Sequence, residues 1–273
     1  MNTASGNPTL HFTAGDGTAI AYRWDGPQDA PVLVLANSIA TTLHMWDGTI
    51  PALTAHFRVL RYDFRGHGES DAPAGDYSLD RFGRDVLELL DGLHVQRAHF
   101  LGLSLGGFVG QWLAIHAPER IDRLILSNTS SWLGPADYFD ARIGELRSAP
   151  DMAASARAFL ANWFPSRMLQ SPDAVVEGFR AMVEATPPQG LAGAFAAVRD
   201  TDMRRTVSLI AHPTLVIAGR DDTVTDAGQG ERIAAAVPGA KFLVLPTVHL
   251  PNVEQPAMFE HAVVDFLSIR QVA

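Results

Sequence analysis

The segment from residue 97 to residue 117, RAHFLGLSLGGFVGQWLAIHA, places the strongest constraint on how this chain can fold. Its first seven residues form an apolar run that predicts a strand, and the residues after the serine predict a helix that stops before Pro118. Between them lies the pattern Gly102-x-Ser104-x-Gly106. The turn from strand to helix is so sharp that bulky side chains at positions 102 and 106 would clash. The pattern therefore predicts a serine hydroxyl held above the end of a strand.

Strands and helices are predicted to alternate on both sides of this segment. The chain begins with a hairpin whose turn signal is Asp16-Gly17. The other predicted strands are residues 31–36, 58–63, 97–103, 120–128, 213–219 and 241–246, and the helices are 78–93, 105–117, about 228–237 and 255–269. This alternation predicts an α/β fold with a mostly parallel, doubly wound sheet.

Residues 129–206 break the alternation. This stretch has helical periodicity and no convincing strand, and prolines interrupt it, at positions 165, 172, 187 and 188 among others. We therefore predict a core formed by residues 1–128 and 207–273, with residues 129–206 inserted as a helical cap, or lid, over the serine.

Composition narrows the classes of function. The chain has 273 residues and no cysteine, which excludes disulfides, thiolate catalysis and cysteine metal sites. A net charge of −9 argues against nucleic acid or an anionic membrane as partner. No run of about 18 apolar residues occurs, and the first twelve residues lack a secretory pattern, so we expect a cytoplasmic location and no membrane span. Histidines and carboxylates show no metal-ligand spacing, so we predict no metal.

A serine hydroxyl needs a base before it becomes a good nucleophile. The pattern predicts an acid and then a histidine, both after later strands of the sheet. The strand at 213–219 is followed by Asp221 and Asp222, and the strand at 241–246 is followed by His249. We choose Asp222 as the acid because it lies further into the loop. His249 would then remove the proton from Ser104 and later return it to the leaving group.

Two backbone amides are expected to stabilise an oxyanion. One is the amide of Leu105, next to the serine, and the other is the amide of Ile39, in the loop after the strand at 31–36. The side chain of Ser38 either contributes to this site or shapes the loop. His67, between two glycines, also follows a strand, but its position in chain order argues against the base role and favours a structural one.

At this point the chain resembles the α/β-hydrolase fold family over almost its whole length, and more narrowly the 3-oxoadipate enol-lactonases. The stretches that carry the narrower resemblance are NSIATTLHMWD, AAVRDTDMR and HLPNVEQP, beside the wider GLSLGGFVGQWLAIHAPERI, RVLRYDFRGHGES, LSNTS and ANWF. The resemblance implies Ser104, Asp222 and His249 as catalytic triad. Ala40 stands where the family usually has glycine and Pro251 where it tends to have serine, and both changes bear on the substrate.

The resemblance implies a serine hydrolase that opens 3-oxoadipate enol-lactone to 3-oxoadipate in aromatic catabolism, without a cofactor. That substrate carries a carboxylate, so a cationic side chain in the cap is expected to bind it. The candidates for substrate contacts, beside Ser38, are Arg142, Arg180, Arg199, Trp132 and Trp163. An arginine on a helix is more commonly a solvated residue, and a tryptophan in a lid is as commonly part of its own core.

Several alternatives stay open. A carboxylesterase, another lactonase, a carbon–carbon bond hydrolase or a cofactor-free perhydrolase would use the same three residues. A ligand-binding protein that kept the scaffold without turnover is a further alternative, although it would not need all three. The sequence does not distinguish a monomer from a homo-oligomer.

Overall fold

A computed structural model describes residues 8–170 and 172–268 of the chain. One sheet contains all the described strands: β1 Leu10–Thr13, β2 Ala19–Asp25, β3 Val32–Ala36, β4 Arg58–Tyr62, β5 Ala98–Leu103, β6 Ile121–Ser127, β7 Thr214–Gly219 and β8 Lys241–Leu245. Their order is β1-β2-β4-β3-β5-β6-β7-β8. The first two strands are antiparallel to their neighbours, and the others run parallel.

Helices connect the parallel strands. The α-helices of the described chain are α1 Ile50–Leu53, α2 Leu79–Gly92, α3 Leu105–His116, α4 Ala136–Ser148, α5 Ala153–Trp163, α6 Ser166–Leu169, α7 Ala174–Ala185, α8 Pro188–Arg199, α9 Ala227–Ala236, α10 Pro251–Glu254 and α11 Pro256–Ser268. Short 3-10 helices occur at Leu43–Trp46, Pro118–Arg120 and Val207–Leu209. None of the described helices is both long and apolar enough to cross a membrane.

This architecture confirms the prediction of a mostly parallel α/β sheet. Every residue of β5 and of β7 is buried, as expected for central parallel strands covered on both faces. The predicted strand and helix bounds agree with the structure to within one or two residues. The helix expected over 255–269 is α11, and a further short helix that was not predicted, α10, ends just before it because Pro256 lacks the N–H that would continue it. The predictions that fall on residues 1–7 and 269–273 lie outside the described residues.

Helices α4 to α8 lie between β6 and β7, and we call residues 133–201 the helical insertion. In this segment α4 packs on α8 and α5 packs on α7. The chain enters and leaves it at one place, where Trp132 forms a backbone bridge with Asp202 and the amide of Met203 donates to the carbonyl of Ser131 over 2.8 Å. The division into core and cap, with the bounds given above, stays a prediction.

Candidate active site

Ser104 occupies a strained turn between β5 and α3. Its φ of 56° and ψ of −113° lie in a region that residues with a side chain rarely adopt. A Cβ atom at position 102 would lie 2.0 Å from the carbonyl oxygen of Gly106, and one at position 106 would lie 2.2 Å from the carbonyl oxygen of Ala36. Both positions therefore require glycine, because the strand, the turn and the start of the helix pack backbone against backbone.

Two free backbone amides border the same space as Ser104. Leu105 is the first residue of α3, and Ile39 lies in the loop after β3. Within the described residues neither amide donates a hydrogen bond, and both residues line the cavity that contains Ser104. The amide of Gly106 donates to the carbonyl of Asn37 over 2.9 Å, which fixes the loop of Ile39 against the start of α3. Both amides are therefore available to donate to a ligand atom in this cavity.

Two hydrogen bonds fix the loop that carries Ile39 and the residues that follow it. The hydroxyl of Thr41 donates to the carbonyl of Ser38, and the amide of Leu43 donates to Asp63 over 2.6 Å. Burial raises the pKa of Asp63 to about 6, although the amides of Leu43 and Glu69 both donate to its carboxylate. Ser38 is fully buried, its hydroxyl has no partner in the described chain, and it is not among the residues that line the cavity.

His249 and Asp222 form a buried pair. His249 Nδ1 lies 2.8 Å from Asp222 Oδ2, and both side chains are almost completely buried. His249 lines the same cavity as Ser104, while Asp222 lies behind it. The neighbouring Asp221 is exposed and makes no described contact with the histidine. The structure therefore pairs His249 with the carboxylate that the sequence analysis chose.

The carboxylate of Asp222 is surrounded by donors. Its Oδ1 accepts from the amides of Val224 and Thr225, and its Oδ2 accepts from the hydroxyl of Thr225 over 2.8 Å and from Asn128 Nδ2 over 2.9 Å. Burial opposes ionisation of this group, but His249 and these donors outweigh it and lower the pKa of Asp222. The aspartate thus stays charged beside the imidazole.

Asn128 is a site residue that the sequence analysis missed. It follows β6 with a φ of 44°, and its side-chain amide also donates to the carbonyl of Val248 over 3.0 Å. One side chain therefore ties the end of β6 to the acid and to the residue before His249. Its position directly after a central parallel strand was the available signal, because functional groups gather at that edge of such sheets.

The cavity above Ser104 has a volume of about 440 Å³. It lies between the carboxyl ends of the strands and the helical insertion, and six aromatic residues form part of its wall. The aromatic residues are Phe108, Tyr138, Phe139, Phe159, Trp163 and Phe195. Such a space can accept a small, largely apolar molecule beside the serine.

The candidate substrate-binding residues divide into two groups. Arg142 and Trp163 line the cavity. Arg180 pairs with Glu177, and Arg199 is held by Asp76, Asp140 and Asp200; neither arginine is among the lining residues. Trp132 lies in a separate cavity with Arg204. Arg142 has one described partner, Glu145 at 2.6 Å, whose side chain is 63% exposed and easily exchanged for another carboxylate.

His67 lies outside this site. It is fully buried, its Nδ1 lies 3.2 Å from the carbonyl oxygen of Arg65, and its ring packs on Phe64. Burial lowers the pKa of His67 to about 4, so the ring is neutral at pH 7. It does not line the Ser104 cavity. In the described part of the chain, no group of three or more histidine or acidic side chains is placed to hold a metal ion.

Comparison with known proteins gives a consistent family. A family model described as alpha/beta hydrolase fold matches residues 31–256. Among curated relatives, 3-oxoadipate enol-lactonase 2 of Acinetobacter baylyi is 36% identical over 94% of this chain and 97% of its own length. A proposed carbamate hydrolase, RutD of Pseudomonas savastanoi, is 32% identical over 88% of this chain and 95% of its own.

Two solved structures are similar along their whole length. A hydrolase from Pseudomonas aeruginosa is 58% identical, with a TM-score of 0.95 over 98% of this chain and 100% of that one. The enol-lactonase from Burkholderia xenovorans is 38% identical, with a TM-score of 0.92 over 95% of this chain and 100% of that one.

Proposed function

Since this chain belongs to the α/β-hydrolase fold family, we propose that it is a serine hydrolase with Ser104 as nucleophile, His249 as base and Asp222 as the acid that orients the base. The observation that carries the proposal is the 2.8 Å contact between His249 and Asp222, with His249 and Ser104 on one cavity. A strained serine flanked by two obligatory glycines supports the same assignment.

The reaction follows from these positions. Ser104 Oγ attacks the carbonyl carbon while His249 takes its proton, and the negative charge on the carbonyl oxygen is met by the amides of Ile39 and Leu105. Collapse of this intermediate breaks the bond to the leaving oxygen, which receives the proton from His249. Water then attacks the acyl-enzyme with the same base, and the acid product leaves. Asp222 stabilises the imidazolium that forms in each step.

The substrate we assign is a small lactone that carries a carboxylate, with 3-oxoadipate enol-lactone as the specific candidate. The enol-lactonase relatives, at 36% and 38% identity, support the ring-opening reaction. The position of Arg142 supports a substrate that carries a carboxylate, because among the three candidate arginines it is the one that lines the cavity. The aromatic wall would cover the ring and exclude water from the acyl-enzyme step.

Hydrolysis of a carbamate is the second candidate, favoured by the similarity to RutD over 88% of the chain. Attack on a carbamate carbonyl uses the same nucleophile, base and amides, so the two reactions differ in the leaving group. Substrate profiling separates them.

The test is steady-state hydrolysis of 3-oxoadipate enol-lactone, followed by its ultraviolet absorbance, with p-nitrophenyl acetate and carbamate esters as comparison substrates. We expect fast decay of the lactone, much poorer rates on the others, and loss of all turnover in Ser104→Ala. Preferred turnover of carbamates or simple esters would refute the lactone while keeping the serine mechanism. Full lactone turnover by Ser104→Ala would refute the mechanism.

A further inference from the structure

A second cavity, of about 420 Å³, lies where the helical insertion joins the sheet. We call it the hinge cavity. Three segments form its wall: the chain entering the insertion, the chain leaving it, and helix α9. The lining residues that matter here are Ser131, Trp132, Arg204, Val207, Gln229 and Arg232. This space is distinct from the Ser104 cavity, with which it shares no lining residue.

The hinge cavity contains unsatisfied polar groups. The side chain of Arg232 is exposed and makes no ion pair or hydrogen bond with any other described residue, and Gln229 Oε1 is buried without a partner among them. Arg204 stacks on Trp132 at 4.2 Å and donates two hydrogen bonds to Asp202, from Nε to Oδ1 over 2.9 Å and from Nη2 to Oδ2 over 2.6 Å, so its charge is paired more firmly than that of Arg142. The cavity therefore has one positive charge that no described carboxylate pairs with, and one side-chain amide that can turn either its oxygen or its NH₂ group inward.

The remaining wall is apolar. The indole of Trp132 and the side chain of Val207 offer hydrocarbon surface beside the charged group. One free cation balances a single negative charge, whereas a phosphate group carries more charge and has no apolar part to place against this wall. The chemistry of the wall thus favours a monoanion that is itself partly apolar.

The hinge cavity also touches the segments that carry the candidate catalytic residues. The ring of Trp132 packs on Gly134, where an added Cβ would lie 2.1 Å from the indole, and Gly134 lines the Ser104 cavity. Upstream, the hydroxyl of Thr129 donates to the carbonyl of Ser104 over 2.7 Å. On the other side of the cavity, α9 starts just after the loop of Asp222. A ligand in the hinge cavity would therefore connect the helical insertion with the segment next to Ser104 and with the helix that follows the loop of Asp222.

We propose that the hinge cavity binds a small monocarboxylic acid with an apolar body, and that the bound acid fastens the two linkers of the insertion to α9. The carboxylate pairs with Arg232 and accepts from the Gln229 amide, while Trp132 and Val207 cover the apolar body. The residues of this site lie outside the Ser104 cavity, so the proposal does not depend on which substrate that cavity binds.

Calorimetric titration of the full chain with benzoate tests the binding, at constant pH and ionic strength. We expect saturable binding that Arg232→Ala weakens at least about tenfold, since a hydrogen-bonded charge is lost. Arg157→Ala is the matched control: Arg157 is exposed on α5, has no described partner and lines neither cavity. Acetate and benzyl alcohol, which lack the body and the charge respectively, should each bind more weakly than benzoate.

The location is tested by two further measurements. Arg142→Ala should leave the binding that depends on Arg232 intact, because Arg142 lies in the Ser104 cavity. Benzoate should slow amide hydrogen exchange in peptides covering residues 129–134 and 202–207, in the native chain but not in Arg232→Ala. The proposal is overturned if Arg142→Ala loses benzoate binding while Arg232→Ala keeps it, or if Arg232→Ala and the native chain bind benzoate equally. It is also overturned if benzoate shows no saturable binding, or if inorganic phosphate binds as tightly as benzoate.

Discussion

The side-chain amide of Asn128 lies 2.9 Å from Asp222 Oδ2, the same oxygen that lies 2.8 Å from His249 Nδ1. Two neighbouring strands, β6 and β7, therefore meet at one carboxylate oxygen. The amide dipole offsets part of the negative charge that the imidazole experiences, so Asn128 has an electrostatic effect as well as a structural one.

Asn128→Gly removes this donor and keeps the left-handed backbone that φ of 44° requires. The less neutralised Asp222 then stabilises the imidazolium more strongly, so the acid limb of the pH–rate profile should move to higher pH. Loss of a hydrogen bond to a charged group should also lower stability by about 2 kcal/mol. The pH dependence of kcat/KM for the preferred ester or lactone measures the shift.

Asn252→Ala is the control for that variant. Asn252 is also buried and donates to the carbonyl of Met45 over 2.9 Å, but it does not touch Asp222. It should lower stability without moving the acid limb. An equal shift in both variants would show that Asn128 acts only through general packing.

Gly106→Ala should abolish activity and lower the unfolding temperature sharply. The added methyl would lie 2.2 Å from a backbone carbonyl that cannot move without breaking the sheet, and overpacking of this kind costs about 3 kcal/mol or more. Gly178→Ala, on the exposed face of α7 with nothing within 4 Å, should instead stabilise the protein by about 0.5–1 kcal/mol. Thermal and denaturant unfolding measure both, and a folded, active Gly106→Ala protein would contradict the close packing at the turn.

Arg142→Ala should raise KM for the carboxylate-bearing lactone about tenfold or more and leave KM for p-nitrophenyl acetate unchanged, because only the first substrate has a charge to bind. Arg180→Ala is matched to it, since both arginines sit on helices of the insertion and pair with a glutamate three residues away. Arg180 does not line the cavity, so its KM values should stay at the native level. Equal losses on both substrates would remove the carboxylate role of Arg142.

His67 should make the protein less stable in acid. Its pKa is about 4 in the folded chain against an ordinary value of 6.5, so between these two values the unfolded chain binds the extra proton and stability falls as pH falls. The loss attributable to this ring reaches about 3 kcal/mol below pH 4. His67→Gln should flatten this part of the profile of unfolding free energy against pH, whatever its stability at pH 7. His56→Gln, at an exposed histidine, should keep the native slope.

The sequence was sufficient to predict the elements that depend on local pattern. The strands around Ser104 are continuous apolar runs. The turn between strand and helix needs glycine at 102 and 106, because a Cβ atom at either position would lie about 2 Å from a backbone carbonyl oxygen. Chain order then pointed to Asp222 and His249, which lie together because β7 and β8 are neighbours in the sheet. Parallel order converts sequence order into spatial order at one edge.

The side chains of the helical insertion that face the cavity could not be predicted from the sequence in this way. Arg142, Arg180 and Arg199 look alike in sequence, since each lies on a helix beside acidic residues. Only the packing of the helices of the insertion, α4 on α8 and α5 on α7, decides which arginine faces the cavity. Asn128 was missed because its role is defined by two partners that are distant in the chain, Asp222 and Val248. Contacts that depend on how helices or loops are assembled leave no periodic signal.

The bridge between Trp132 and Asp202 makes the long segment between them equivalent, for the sheet, to a short loop. The entropic cost of closing that loop arises at the bridge and grows only slowly with the number of residues inside the loop. The bridge therefore lets β6 and β7 keep their register while the length of the segment between the two bridge positions varies. In a lineage of such proteins, choice of substrate and competence for bond cleavage can thus be inherited separately.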